Sequence, residues 1–171
     1  QSLCSMESTS FVSDHTDLLT QLKTRENNYI QSCSKYQCKI DAGAIVCIRN
    51  EHHIYKPSIK LSDAELLAIC DTLSELDHVQ TLNLRDCQIT CNGAYLLCQL
   101  LHKNKNIQVI DLRFNQIADL GAQALSEMLQ IQSTKLKTLI LHYNAITQKG
   151  AFHIAQGLKL NTSLEELDIS H

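Results

Sequence analysis

The residues most suggestive of chemistry lie in LNLRDCQIT (82–90), where Cys87 follows an Arg85-Asp86 pair. A thiol acts as a nucleophile only as the thiolate, which an adjacent cation and partial exposure would favour. Cys33-x4-Cys38, Cys87-x3-Cys91 and His52-His53 add residue types that ligate zinc. None of these has the C-x2-C spacing of a structural zinc site. The chain also lacks G-x-S-x-G, a P-loop and H-E-x-x-H. What Cys87 does therefore depends on the elements that position it.

The 171 residues are 44% apolar and 19% charged, enough for one soluble core. A net charge of −3 gives no basic field for nucleic acid or an anionic membrane. No apolar run approaches the roughly 18 residues of a membrane span. QSLCSMESTS has no basic segment leading into an apolar one, so no signal peptide is expected, and the missing initiator Met predicts a fragment or processed product. Several of the eight cysteines sit in apolar runs: Cys47 in AIVCI, Cys70 in LLAIC, Cys98 in YLLCQLL. Cysteines so placed behave as small buried hydrophobes and suit a reducing compartment, the cytoplasm or the nucleus. The sequon Asn161-Thr162-Ser163 points the other way, and matters only in a secreted chain.

Internal repetition organises the chain from residue 79 onward. Units span 79–106, 107–135 and 136–163, and a fourth, 164–171, stops after LEELDISH. That stop predicts further repeats beyond it in the natural protein. Val79, Ile107, Leu136 and Leu164 open the units. Leu82/Leu84, Ile110/Leu112, Leu139/Leu141 and Leu167/Ile169 have the period of two of a strand with one buried face. After Ile89, Ile117 and Ile146 the period becomes helical: Gly-Ala pairs at 93, 121 and 150 precede Leu97/Leu101, Leu125/Leu129 and Ile154/Leu158. Thr90, Asp119 and Thr147 are the expected helix caps. Each strand–turn–helix unit hides its apolar face only by stacking on neighbours. Strands stack about 4.8 Å apart and helices about 10 Å, so the array must curve. The prediction is an α/β solenoid with parallel strands on the concave face and helices on the convex face.

The pattern L-x-x-L-x-L-x-x-N/C-x-I/L in 28- and 29-residue units resembles ribonuclease-inhibitor-type leucine-rich repeats, which form a right-handed β-α superhelix. Regions of this kind also occur in NOD-like receptors, Ran GTPase-activating proteins and tropomodulins. The resemblance implies binding of protein partners through concave strand residues and adjoining loops. It also implies that Cys87, Asn115 and Asn144 form a structural ladder at the strand exits, with Cys87 a buried stand-in for asparagine.

Before the repeats, residues 1–13 are polar and aperiodic and read as a disordered tail. Residues 14–78 read as an N-terminal helix, over about 15–35, and an irregular capping repeat. In the latter, AIVCI (44–48) is the expected strand, 49–58 a loop, and 62–76 a convex helix opened by a Ser62–Glu65 capping box.

Residues between the apolar strand positions face the concave side in columns: Asn83, Asp111, Ile140, Asp168; Arg85, Arg113, His142, Ser170; and, at the strand exits, Asp86, Phe114, Tyr143, His171. Arg85 and Arg113 are adjacent like charges, answered by Asp86 and Asp111 or by an acidic partner. Phe114 and Tyr143 are either partner contacts or packed against neighbouring loops. The expected function is a protein–protein interaction scaffold, not an enzyme, with Asn83, Arg85, Asp111, Arg113, Phe114, Ile140, His142, Tyr143 and Asp168 as partner-binding residues. Alternatives are a regulator of an enzyme, of GTPase-activating or inhibitor-like type, and the ligand-sensing region of a NOD-like receptor. No cofactor, metal, nucleic acid, membrane or small-molecule substrate is expected.

Overall fold

The computed structural model describes residues 7–50, 52–131 and 134–170, with side chains from Asp17 onward. Cys4, residues 1–6 of the expected tail and His171 of the strand-exit column lie outside these. Helices α1 (Glu7–Lys35) and α2 (Ala42–Asn50) lead into a regular alternation: β1 (Ile54–Tyr55), α3 (Asp63–Leu73), β2 (Thr81–Asn83), α4 (Cys91–Lys103), β3 (Val109–Asp111), α5 (Ala118–Leu129), β4 (Thr138–Ile140), α6 (Gln148–Leu158) and β5 (Glu166–Asp168).

The strands form one parallel sheet in chain order. Thr81 pairs with Val109, Val109 with Thr138, and Thr138 with Glu166, so the pairing offset is the sequence period. The strand leucines and isoleucines explain this register. Leu82, Leu84, Ile110, Leu112, Leu139 and Leu141 are buried between sheet and helices. A slip of one residue would turn each of them to solvent, at about 1.5–3 kcal/mol per side chain. Leu97, Leu101, Leu125, Leu129 and Ile154 close the core from the helical side. Only at β5 does the pattern open, with Leu167 half-buried and Ile169 exposed.

Three local features differ from the sequence reading. AIVCI lies in α2, not in a strand. The first strand is Ile54–Tyr55, which pairs with Thr81–Leu82. β-branched propensity at 44–48 loses because the Asp41 carboxylate accepts from the Ala44 N–H at 3.0 Å and starts a helix there, while β2 offers its ladder to 54–55. Second, α1 begins at Glu7, so 7–13 are helical backbone and not an unstructured tail. Third, Asp119 does not cap its own helix. Ala118 carries φ 53° and opens α5 directly, which places Asp119 inside the first turn. Its carboxylate instead accepts from the Thr147 N–H (2.8 Å), the Thr147 hydroxyl (2.7 Å) and the Gly150 N–H (2.9 Å) at the start of α6. Thr90 and Thr147 do cap α4 and α6, accepting from Asn92 and Lys149.

Asp41, which drew no notice in the sequence, organises the first unit. It is fully buried. Its carboxylate also accepts from the Tyr55 hydroxyl at 2.9 Å, the Ser58 N–H at 2.7 Å and the Ser58 hydroxyl at 2.5 Å. Its own N–H donates to the Tyr29 hydroxyl at 2.8 Å. The side chain and backbone of this one residue thus tie α1, α2, β1 and the following loop. Burial raises the pKa of both phenols, Tyr29 and Tyr55, which keeps them neutral.

The helices approach closely where glycine lets them. A Cβ on Gly157 in α6 would lie 2.6 Å from the Ser126 carbonyl oxygen and 2.9 Å from its Cα in α5. Gly157→Ala must therefore push α6 off α5. We expect a loss of about 1–3 kcal/mol in urea unfolding, despite alanine's better helix propensity. A neutral or stabilised variant would refute this tight helix contact.

Candidate protein-binding surface

The strand exits are built around asparagine. Asn115 Oδ1 accepts from the N–H groups of Cys87 (3.0 Å) and Ile89 (2.9 Å) in the preceding unit. Its Nδ2 donates to the carbonyls of Leu84 (2.8 Å) and Leu112 (2.7 Å). Asn144 repeats the arrangement one unit on, donating to Leu112 and Leu141 at 2.8 Å and accepting from Ile117 at 3.3 Å. Cys87 occupies the same column, and its Sγ reaches only the Arg85 carbonyl, at 3.4 Å. Burial, with the nearby Asp86 charge, pushes its thiol up to about 11. That is the opposite of an activated nucleophile.

A second asparagine set, overlooked in the sequence, sits behind the helices. Asn104 donates to the Leu73 and Leu76 carbonyls at 2.7 and 3.1 Å. Asn161, at the same place two units later, donates to the Leu129 carbonyl at 2.7 Å and accepts from Leu164 at 2.7 Å. Their common place in alternate units was the available signal. The amide of the one sequon is thus already engaged within the fold.

The ladder continues beyond the strands. Asp86 N–H donates to Arg113 O (2.9 Å), Phe114 N–H to His142 O (3.0 Å) and Tyr143 N–H to Ser170 O (3.2 Å). Asp86, Phe114 and Tyr143 all take left-handed backbone, with φ of 54°, 57° and 56°. Aspartate adopts that region readily, whereas a bulky aromatic does so at a cost of about 1–2 kcal/mol. The conformation throws both rings off the core. Phe114 is 40% and Tyr143 48% exposed, and the two stack at 5.0 Å with planes 16° apart. His142 meets them edge-on, at 5.7 Å from Phe114 and 4.2 Å from Tyr143. The Arg85 guanidinium sits over the Phe114 ring, 4.7 Å from its centre.

The charges divide unequally. Arg113 grips Asp111 on its own strand, Nη2 to Oδ2 at 2.6 Å and Nε to Oδ1 at 2.9 Å, because residues two apart share a face. Burial raises the Asp111 carboxyl, but the Arg113 bonds and the charges of Arg113 and Arg85 outweigh it and hold it below the usual range. Asp86 turns away to Lys60, at 3.0 Å. The predicted columns are therefore assembled: Asn83, Asp111, Ile140 and Asp168 are paired in register, with Arg85, Arg113 and His142 beyond them. Ser170 lies 2.6 Å from His142 Nδ1, but its hydroxyl donates to Asp168 at 2.5 Å. The carboxylate holds the serine and does not orient the imidazole, the reverse of a nucleophile's activation. Among the described residues, no three His, Cys, Asp or Glu side chains are grouped to hold a metal, and no helix is long and apolar enough to cross a membrane.

Two measurements probe this frame. Asn115→Ala strips partners from two buried N–H groups and two carbonyls, and should cost about 2–4 kcal/mol in urea unfolding. A loss under 1 kcal/mol (roughly one ordinary hydrogen bond) would mean the ladder carries little weight. Alkylation of the native protein at pH 8, read by peptide mass mapping, should leave Cys87 unmodified while Cys91, half-exposed on α4, reacts. Early labelling of Cys87 would contradict its burial.

The Leucine Rich repeat family profile matches residues 75–98, 103–126 and 132–155. No curated protein matches the chain in sequence. Among solved structures, that of leiomodin-1 actin-binding site 2 is similar at a TM-score of 0.60 and 26% identity, over 67% of this chain and 66% of that one. The chain thus spans just under two thirds of that neighbour. Three profile matches fall on successive units of a parallel sheet whose offset equals the sequence period, and the chain carries leucine-rich repeats in these three places.

Proposed function

We propose that this protein binds another protein through its concave strand residues and their exits: Asn83, Arg85, Asp111, Arg113, Phe114, Ile140, His142, Tyr143 and Asp168. The observation that carries the reading is the pair of stacked aromatic rings held half-exposed on left-handed backbone. Aromatic and arginine side chains are the enriched types at interface centres. Here they stand on a frame whose backbone groups are already hydrogen-bonded, so little ordering is left for docking to do. Leucine-rich repeats are typically binding and not catalytic modules, and the chain's chemistry is read as recognition.

A second reading is favoured by the structural comparison. The similar solved structure is an actin-binding site of leiomodin-1, which makes actin a specific candidate partner.

Phe114→Asn and Tyr143→Asn suit the test, because asparagine tolerates left-handed backbone and the fold should survive. Affinity capture with the immobilised wild-type chain should retain partners that the double variant loses, an effect of tenfold or more. The control is Phe152→Ala, which removes an exposed ring from α6 on the helical side. Identical capture by all three would end the aromatic-surface reading. Co-sedimentation with filamentous actin tests the second reading. Absence of binding at micromolar actin removes actin as partner and leaves the first reading standing.

A further inference from the structure

We infer that Arg85 is a preformed carboxylate-binding group, and that the partner presents an aspartate or glutamate beside an apolar side chain. This deepens the protein-binding reading and rests on it.

Other basic side chains near the strands have answered charges: Arg113 has Asp111, Lys60 has Asp86 and Lys137 has Glu165. Arg85 has neither an ion pair nor a side-chain hydrogen bond among the described residues. The two carboxylates its neighbourhood offers are already taken, Asp86 by Lys60 and Asp111 by both nitrogens of the Arg113 fork. What Arg85 does have is the Phe114 ring under its guanidinium at 4.7 Å, itself backed by Tyr143 at 5.0 Å. A guanidinium held over a ring keeps N–H groups available at its edge. That edge is the part that accepts a carboxylate in two parallel hydrogen bonds. The ring also orders a long side chain before any ligand arrives, which lowers the entropy cost of capture.

The remaining exposed ring surface sets the second requirement. A carboxylate alone would satisfy Arg85 and leave Phe114 and Tyr143 wet. A segment with an acidic residue followed by an apolar one reaches both features. A phosphate would meet the guanidinium equally well but would put a second charge over the aromatic faces, whose quadrupoles disfavour anions. The occupant is therefore assigned as a protein carboxylate.

Two synthetic peptides test this against the full chain: acetyl-Gly-Glu-Phe-Gly-amide and the same peptide with Gln for Glu. Binding is followed by NMR at the Arg85 side-chain N–H and the Tyr143 ring. The Glu peptide should shift both signals and bind at least fivefold more tightly than the Gln peptide. Arg85→Gln should abolish that difference, and Arg85→Lys should restore only part of it. Inorganic phosphate at matched concentration and ionic strength should not displace the Glu peptide. Equal binding of the two peptides, no response at Arg85, an unchanged difference in Arg85→Gln, or displacement by phosphate would each overturn the assignment. The broader reading fails separately. If captured partners survive Arg85→Gln but not Tyr143→Asn, the carboxylate assignment falls and the binding surface stands. If they survive both, the surface falls as well.

Discussion

The structure rests on a mismatch of widths. Parallel strands sit about 4.8 Å apart, while packed helices need about 10 Å, so units that share both must fan out from the sheet. That geometry holds only if each strand leaves the sheet by the same turn at the same residue. Asn115 and Asn144 enforce it, because each amide bonds backbone groups of its own unit and of the one before. The turn they support requires left-handed backbone at 86, 114 and 143. The side chains there therefore project at the edge of the concave sheet, whatever their type.

Neighbouring units are also joined at their helix starts. Asp119 bonds the first turn of α6 through Thr147 and Gly150, and Asp63 reaches Thr90 and Asn92 at the start of α4 by longer bonds of 3.4 Å. Cys91 and Ala118 fill these two places at the intervening junction, and no such bond forms there. That junction relies on packing, on the ladder and on the Cys98 thiol of α4, which donates to the Ala124 carbonyl of α5 at 3.1 Å. Among the described residues α1 and α2, not a repeat unit, precede the first unit, and a buried aspartate does the joining instead. The Asp41 carboxylate accepts four hydrogen bonds from α2, β1 and the loop after it, and its N–H donates to Tyr29 in α1. A buried carboxylate without a cation is tolerable only with its oxygens fully engaged, which ties the position of α1 to the folding of β1.

The repeats were legible because their signal is redundant. Leu82, Ile110, Leu139 and Leu167 say the same thing four times, and the strand register follows from their spacing. The concave columns follow in turn from alternation. What was not legible is what happens once or depends on partners. AIVCI has strand propensity, yet the Asp41 carboxylate three residues before Ala44 and the free edge of β2 decide against it. Asp119 carries a cap residue's chemistry, but its partner is a unit away, where a local window cannot see it. The division of charges at Arg85 and Arg113 was left open by the columns. It is settled by rotamers and by Lys60, which lies outside the recognisable repeats. The strained backbone under Phe114 and Tyr143 has a sequence correlate only in hindsight. Both stand where Asp86 stands in the unit before, and aspartate is the only one of the three that tolerates the turn easily.

That contrast bears on why the aromatics are there. Asparagine or glycine in either place would remove about 1–2 kcal/mol of backbone strain. The ring stack and the Arg85 guanidinium over Phe114 together return about 1–2.5 kcal/mol. Within the isolated chain these nearly cancel, so folding alone gives no reason to prefer a ring over asparagine. The balance changes only if the faces still exposed on Phe114 and Tyr143 become buried. Phe114 stays 40% and Tyr143 48% exposed, and the ladder beneath prevents the backbone from turning them inward. Burial against the proposed partner would tip the balance. The Arg85 guanidinium, which forms no ion pair among the described residues, lies over the Phe114 ring, so charge and apolar surface would be satisfied in a single contact.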